Sequence, residues 1–523
     1  MYSLIIKNAK IIDGSGKKPS DELFDVAVEK DEIVNIAKEI PSKAHFVIDA
    51  KGKILTPGFV DIQNHSDSYW QLFDNPGLDS LVSQGFTTIA VGHCGASLAP
   101  LLSKDSLLAM QKWHNLEGTN LNWQTFEEFL DTLSQKKYGC NVASLVGYAT
   151  LRRGIVGDEI RALEKPELEA IKKILAQSFE AGAFGLSSGL SYAHEIIISQ
   201  IELFELAKVV NQNKGLFSVH LRNEGAEVIE SVEEVLEIAR TCDVNLKISH
   251  LKIRGQENWQ NQEHLLELLE TAYHKGLKIH YDIYPYDTTW QPLYSYLPKW
   301  AIEGGRSLML KHFSDPTLKN KILAYLNSTQ TKWVDMFIAS TGSKLQFVGK
   351  TVGLVAKNLE MSSEAAVLHI LEHAGSEVLV FDRNLDQKNV NDLLYHPLGF
   401  VATDGGGFNQ NQKDKLIHPR CFGTTAKFLK QVLETKAIPL EQAVFKLSLG
   451  PAQKLGLVNH GLLRIGYKAD LVLFDLSKIS DKATYENPYQ LSEGIDYVFV
   501  NGVAALAEGK LTGENSGRVL RKK

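Results

Sequence analysis

Four cysteines in 523 residues are too few to form a disulfide framework for a chain of this size. Cys140, Cys242 and Cys421 are therefore expected to pack as small apolar side chains, and Cys94 stands apart because of the residues around it. No run of residues approaches the roughly 20 apolar positions that a membrane-spanning helix needs. The apolar start, Leu4-Ile5-Ile6, is followed at once by Lys7 and is too short for a signal peptide, so a cytoplasmic protein with no membrane partner is expected. Nor is there an excess of charge: 56 basic residues face 62 acidic ones, for a net charge of −6. No segment concentrates Lys and Arg, which argues against a nucleic-acid partner. Heptads, short repeats and low-complexity tracts are lacking too, so an elongated or repetitive architecture is excluded.

What remains is 44% hydrophobic and patterned. Both ends carry short β-rich runs broken by turn residues. At the start these are Leu4–Ile6, Val26–Val28, Ile33–Ile36 and Phe46–Ile48; at the end, Leu462–Ile465, Leu471–Phe474, Tyr497–Val500 and Arg518–Leu520. Neither set can bury a core alone, so residues 1–56 and 461–523 are expected to build one small β-sandwich together.

Residues 57–460 alternate apolar strands with amphipathic helices, the pattern of a parallel sheet wrapped by helices. Strands are expected at Phe59–Ile62, Thr87–Val91, Val142–Val146, Ala183–Leu186, Leu216–Val219, Leu246–Ser249, Lys278–Ile283 and Leu398–Ala402. Eight such units suggest an α/β fold of the (β/α)8 TIM-barrel type, although an open sheet has the same local pattern. A stretch from about Thr289 to Ser376 interrupts the spacing and reads as an inserted subdomain. Val378–Phe381 is either an extra strand or one of the eight.

Barrel active sites form where the strands end. The expected strand ends carry His65, Cys94, His220, His250 and Asp404. Singly, each has an ordinary explanation as a loop, core or turn residue. Together on one rim they are ligand types for zinc, and thiolate with imidazole favours zinc over magnesium or calcium. His93 neighbours Cys94 but would point the other way in an extended segment. Lys252 and Arg222 follow two of the histidines and are candidates for holding a substrate carboxylate, or else ion-pair partners within the fold. Tyr192 and Tyr284 are candidate hydrogen-bond donors to substrate, or else packed aromatics. His194 and His418 lie on loops of the same rim. His45, His264, His274, His369, His373 and His460 lie away from strand ends and are assigned no role.

At these residues the sequence resembles the D-aminoacylases (N-acyl-D-amino-acid deacylases) of the amidohydrolase superfamily, over nearly its whole length. The segments that carry the likeness include Pro57-Gly58-Phe59-Val60-Asp61, Val91-Gly92-His93-Cys94-Gly95, His220-Leu221-Arg222-Asn223-Glu224-Gly225, Ser249-His250-Leu251-Lys252, Tyr284-Pro285-Tyr286, His418-Pro419-Arg420 and Ala469-Asp470-Leu471-Val472. The Cys94 and His220 segments are the most specific. The resemblance implies a zinc ion held by Cys94, His220 and His250, with the cysteine in the bridging place that a carboxylated lysine fills in other branches. It implies Asp404 as the catalytic acid–base, His65 beside it or on a residual second metal, and a small-molecule amide as substrate. Two departures stand out. Gln63 occupies the first position of the family's His-x-His, so one tightly bound zinc is expected and a second site that is weak or absent. After Tyr286 the family's small residues and serine give way to Asp287-Thr288-Thr289-Trp290-Gln291, so the substrate pocket has a different wall. A dipeptidase, a cyclic-amide hydrolase, a metal-binding protein without catalysis and a metal-free interaction scaffold are the alternatives that the sequence leaves open.

Overall fold

The computed structural model describes residues 1–109, 121–157, 159–192, 194–302, 305–342, 345–412 and 415–523. At its centre are a six-stranded and a three-stranded parallel sheet. Asn141–Ser144 and Val146–Gly147 belong to one broken strand, so together they supply the eight strands of a barrel. Its other strands are Phe59–Asp61, Phe86–Val91, Gly185–Gly189, Leu216–His220, Asn245–Ile248, Ile279–Ile283 and Gly399–Val401. The first and last meet through a parallel bridge between Asn64 and Gly405. The Asp404 N–H donates to the Gln63 carbonyl at 2.9 Å and the His65 N–H to the Gly405 carbonyl at 2.7 Å, which ties the two strand ends that carry site residues.

Except at Asn245 and His280, which are half-buried, the strands are buried along their whole length because helices cover one face and the packed interior the other. Phe86–Val91, for example, is buried at every position. The helices present one apolar stripe inward: Val228–Cys242 buries Val228, Val232, Val235, Leu236 and Ala239, and stops at Asp243 in the left-handed conformation. No helix among the described residues is long and apolar enough to cross a membrane.

Both ends of the chain share one nine-stranded sheet, joined where Leu471–Phe474 pairs antiparallel with Ile54–Pro57. Alternate residues of Tyr2–Ile11 feed two apolar clusters, Leu4 and Ile6 with Val26 and Val28, and Ile5 with Ala27 and Ile40. Gly58 then leads into the barrel, where a β-carbon would lie 2.1 Å from Thr87 Oγ1. Two expected terminal strands are absent. Leu462–Ile465 is a loop between Gly461 and Gly466, both at positive φ. The Arg518–Leu520 segment runs instead along the third barrel strand, exchanging backbone hydrogen bonds with Val142.

The region between the last two barrel strands has its own sheet. Val378–Asp382 is its centre, antiparallel to both Thr289–Pro292 and Phe337–Thr341, and so is an extra strand. A separate core that includes Leu293, Ile322, Trp333, Val352 and Leu371 supports it. Its edge strand delivers Trp290 to the barrel mouth.

Candidate active site

Cys94, His250 and Asp404 all follow barrel strands, and all have positive φ, at 54°, 37° and 47°. Non-glycine residues hold this conformation at a cost of about 1–3 kcal/mol, so the surroundings must impose it. Gly92 and Gly95, themselves at positive φ, flank the Cys94 turn. A β-carbon on Gly95 would fall 1.7 Å from Glu195 Oε1. The His250 N–H is pinned by Asp282 Oδ1 at 2.9 Å. These turns aim the three side chains across the barrel mouth.

Cys94 Sγ, one nitrogen of His220 and one of His250 lie within 4.8 Å of one another, all buried. His250 Nε2 is 3.4 Å from Cys94 Sγ and 2.9 Å from His220 Nδ1. The other ring nitrogens are engaged behind: His220 Nε2 meets Ser191 Oγ at 2.8 Å, and His250 Nδ1 lies 3.1 Å from Glu224 Oε1. Such backing fixes which nitrogen faces a metal. Burial raises the Cys94 thiol, but His250 and hydrogen bonds from His220, His250 and His65 outweigh it and hold the thiol well below its ordinary range. A thiolate and two imidazoles converging on one point form a donor set that fits zinc.

Asp404 stands beside this cluster. Its Oδ1 is 3.1 Å from His65 Nε2 and its Oδ2 accepts from Arg420 Nη2 at 2.8 Å. Burial would raise its carboxyl, but Arg420, His250 and His65 hold it well below the usual carboxylate range. Burial lowers His65, but its bonds to Asp404 and Cys94 prevail and raise it to about 10. His65 Nε2 is also 3.9 Å from Cys94 Sγ, so it links the carboxylate to the metal ligands.

Glu224 is the second carboxylate of the site, 4% exposed. Lys252 Nζ donates to its Oε1 at 2.7 Å and lies 2.8 Å from His250 Nδ1. Burial raises Glu224, but Lys252, His220 and His250 keep it ionised well below its ordinary value. Lys252 lines the pocket, as do Tyr192 and Tyr284. The Tyr192 ring lies 4.9 Å from that of His220, and Tyr284 lies under the Arg420 guanidinium at 4.5 Å.

Arg222 is not brought to the pocket. It turns outward to pair with Glu234 on the helix that follows, at 2.8 Å, and caps the carbonyls of Ile196 and Ile198. His194 and His418 do not line the pocket either. His418 uses both ring nitrogens on backbone, the Thr288 carbonyl and the Arg420 N–H, and so fixes the turn before Arg420. His93 turns into the barrel interior, with Nδ1 3.3 Å from Ser218 Oγ, because the chain leaves the extended conformation at Cys94. In the divergent loop, Trp290 stacks on Tyr69 at 5.0 Å and, with Thr289 and Gln291, lines the pocket. Asp287 points away to Arg383 at 2.6 Å.

Arg420, Glu224 and Arg254 complete the site. No local sequence signal marks these three, although Glu224 and Arg420 lie inside segments that carry the family likeness.

Two models described as "Amidohydrolase family" match the chain, one over residues 47–289 and the other over 345–505. A D-aminoacylase of Alcaligenes xylosoxydans xylosoxydans is 30% identical over 99% of this chain and 97% of its own. Among solved structures, an N-acyl-D-glutamate deacylase of Bordetella bronchiseptica, complexed with zinc and a phosphonate mimic of the tetrahedral intermediate, superposes with a TM-score of 0.83 at 28% identity over 99% of both chains. A D-aminoacylase structure concerned with a binuclear metal centre, with one-metal activation and second-metal attenuation, superposes with a TM-score of 0.83 at 27% identity over 100% of both.

Proposed function

The chain belongs to the D-aminoacylase family of the amidohydrolases, metal-dependent enzymes that act on linear amides, and from that premise we propose that it hydrolyses N-acyl-D-amino acids with one tightly held zinc ion on Cys94, His220 and His250. The observation that carries this reading is the convergence of those three ligand atoms beside the Asp404 carboxylate. A zinc ion bound there supplies a Lewis acid that polarises a carbonyl and acidifies water.

The chain's own residues do the rest. Asp404 Oδ1 accepts a proton from the attacking water and returns it to the leaving nitrogen. His65 and Arg420 hold that carboxylate in place and keep it ionised until it is needed. The Lys252 ammonium, on the pocket wall, binds the substrate carboxylate and shares its charge with Glu224. Tyr192 and Tyr284 offer hydroxyls to the acyl and carboxylate oxygens, and Trp290 closes the apolar side of the pocket. Glu224 acts through His250 and Lys252 and is a positioning residue.

Elemental analysis after extensive dialysis tests the ligand set. In a His373→Ala background, which removes a second His–Glu–His cluster, the otherwise unaltered chain is expected to keep one zinc and Cys94→Ser to lose it. Retention of the zinc by Cys94→Ser would refute the assignment.

A further inference from the structure

Below the metal ligands, Lys247, Asp282 and Gln63 have no solvent exposure, and the reaction as derived does not use them. Lys247 Nζ donates to Asp282 Oδ2 and to Gln63 Oε1, each at 2.5 Å. Asp282 spends its other oxygen on the His250 N–H. With its oxygen claimed by an ammonium, the Gln63 amide can present only its NH2 to Cys94 Sγ, which it reaches at 3.4 Å. Beside the His65 contact at 3.9 Å, the thiolate has two further faces. One looks to His220 and His250, and the other looks through a single amide to a buried positive charge.

We propose that the Lys247 ammonium, relayed by Gln63, takes the place of a second metal ion at this centre. This deepens the one-zinc reading and rests on Cys94 being a zinc ligand. A thiolate shared by two cations has its charge compensated from both sides, and here the second compensation is built into the chain. The Lys247–Asp282 pair is neutral as a whole, but its ammonium end is turned toward Gln63 and Cys94 and its carboxylate end toward the His250 backbone. A divalent cation on the Gln63 side would meet like charge in a water-excluded interior, where such repulsion is strong. The absence of an imidazole at position 63 is thus one half of the arrangement and the buried Lys247 the other half.

The two halves can be separated by counting metal. All measurements use a His373→Ala background, because His369, Glu372 and His373, on the helix Ser363–Ala374 and not among the residues lining the site, form a second cluster with ligand atoms within 4.8 Å that could add to the count. Gln63→His restores the imidazole but keeps Lys247. Gln63→His/Lys247→Met/Asp282→Asn also removes the buried pair as a pair, which avoids stranding a lone charge. Gln63→His/Lys247→Gln, whose new amide can still donate to Asp282, is the second variant should the first lose its fold. Zinc per chain is read by elemental analysis after dialysis, and its position by anomalous scattering from crystals. The expected counts are one for the wild type, one for Gln63→His and two for the variants without Lys247. A second tight equivalent in Gln63→His alone, or a count that stays at one when folded protein lacks Lys247, would overturn the proposal. Zinc that survives Cys94→Ser would overturn the underlying ligand assignment instead, and the proposal with it.

Discussion

Arg420 Nη2 lies 2.8 Å from Asp404 Oδ2, while the other oxygen of the same carboxylate faces His65 at 3.1 Å. The carboxylate is thereby held between two cations and oriented by both, which makes it a fixed acceptor for one proton at a time.

Asp404→Asn keeps the size of the side chain and removes the acceptor. Turnover is expected to fall by at least roughly 100-fold, with zinc content unchanged. Parallel kcat measurement and metal analysis check this, and loss of zinc together with activity would make Asp404 a ligand first. Because Arg420 depresses the Asp404 carboxyl, Arg420→Gln should move the acid limb of the kcat–pH profile to higher pH.

Glu224 reaches both His250 and Lys252. Glu224→Gln is expected to weaken zinc binding by about 10–100-fold, the usual effect of removing a carboxylate behind a metal-binding imidazole, and to raise KM through the displaced lysine. Competition against a chelator of known affinity reads the first effect and steady-state kinetics the second. Unchanged zinc affinity would leave Glu224 no part in orienting His250.

Zinc uptake should depend on pH with a defined sign. In the metal-free protein, burial and Lys252 lower His250, but Asp404 and Cys94 prevail and raise it to about 9. An imidazole must be neutral to bind zinc, so below pH 9 each zinc displaces a proton from His250. The Cys94 thiol, already held low, adds none in that range. Apparent affinity should therefore rise by up to about tenfold per pH unit and flatten near pH 9. Calorimetry in buffers of different ionisation enthalpy counts the protons released. A pH-independent affinity between 7 and 9 would contradict this.

The barrel was legible because most of its strands are apolar runs, and all eight lie at or within a few residues of the expected positions, the fourth shifted from Ala183–Leu186 to Gly185–Gly189. Val378–Phe381 was ambiguous for a physical reason: the central strand of a small covered sheet is as uniformly buried as a barrel strand. Arg518–Leu520 has strand-like residues, but its partner Val142 is far away in sequence, and no local signal names it. The convergence of Cys94, His220 and His250 was readable from residue type and position at strand ends. The groups that hold them were not. Glu224 acts on His250, Arg420 on Asp404, and Lys247 on Gln63, each from a different element of the fold. Lys252 and Arg222 show the limit most plainly: each lies two residues past a histidine, yet one turns in to Glu224 and the other out to Glu234.

Handedness of the substrate separates an N-acyl-D-amino-acid deacylase from other amide hydrolases. In the proposed reading the Cys94–His220–His250 site would take the scissile carbonyl, Lys252 the carboxylate and the pocket wall the side chain, so exchanging the hydrogen and side chain at the α-carbon would drive the side chain into the wall. The deciding measurement is kcat/KM of the one-zinc enzyme on matched D and L pairs of N-acetyl amino acids bearing acidic and apolar side chains. At least one D substrate should be hydrolysed with its L partner slower by roughly 100-fold or more, a discrimination that takes about 3 kcal/mol. Equal rates on both enantiomers, or no hydrolysis of any D substrate by protein that holds its zinc, would contradict it.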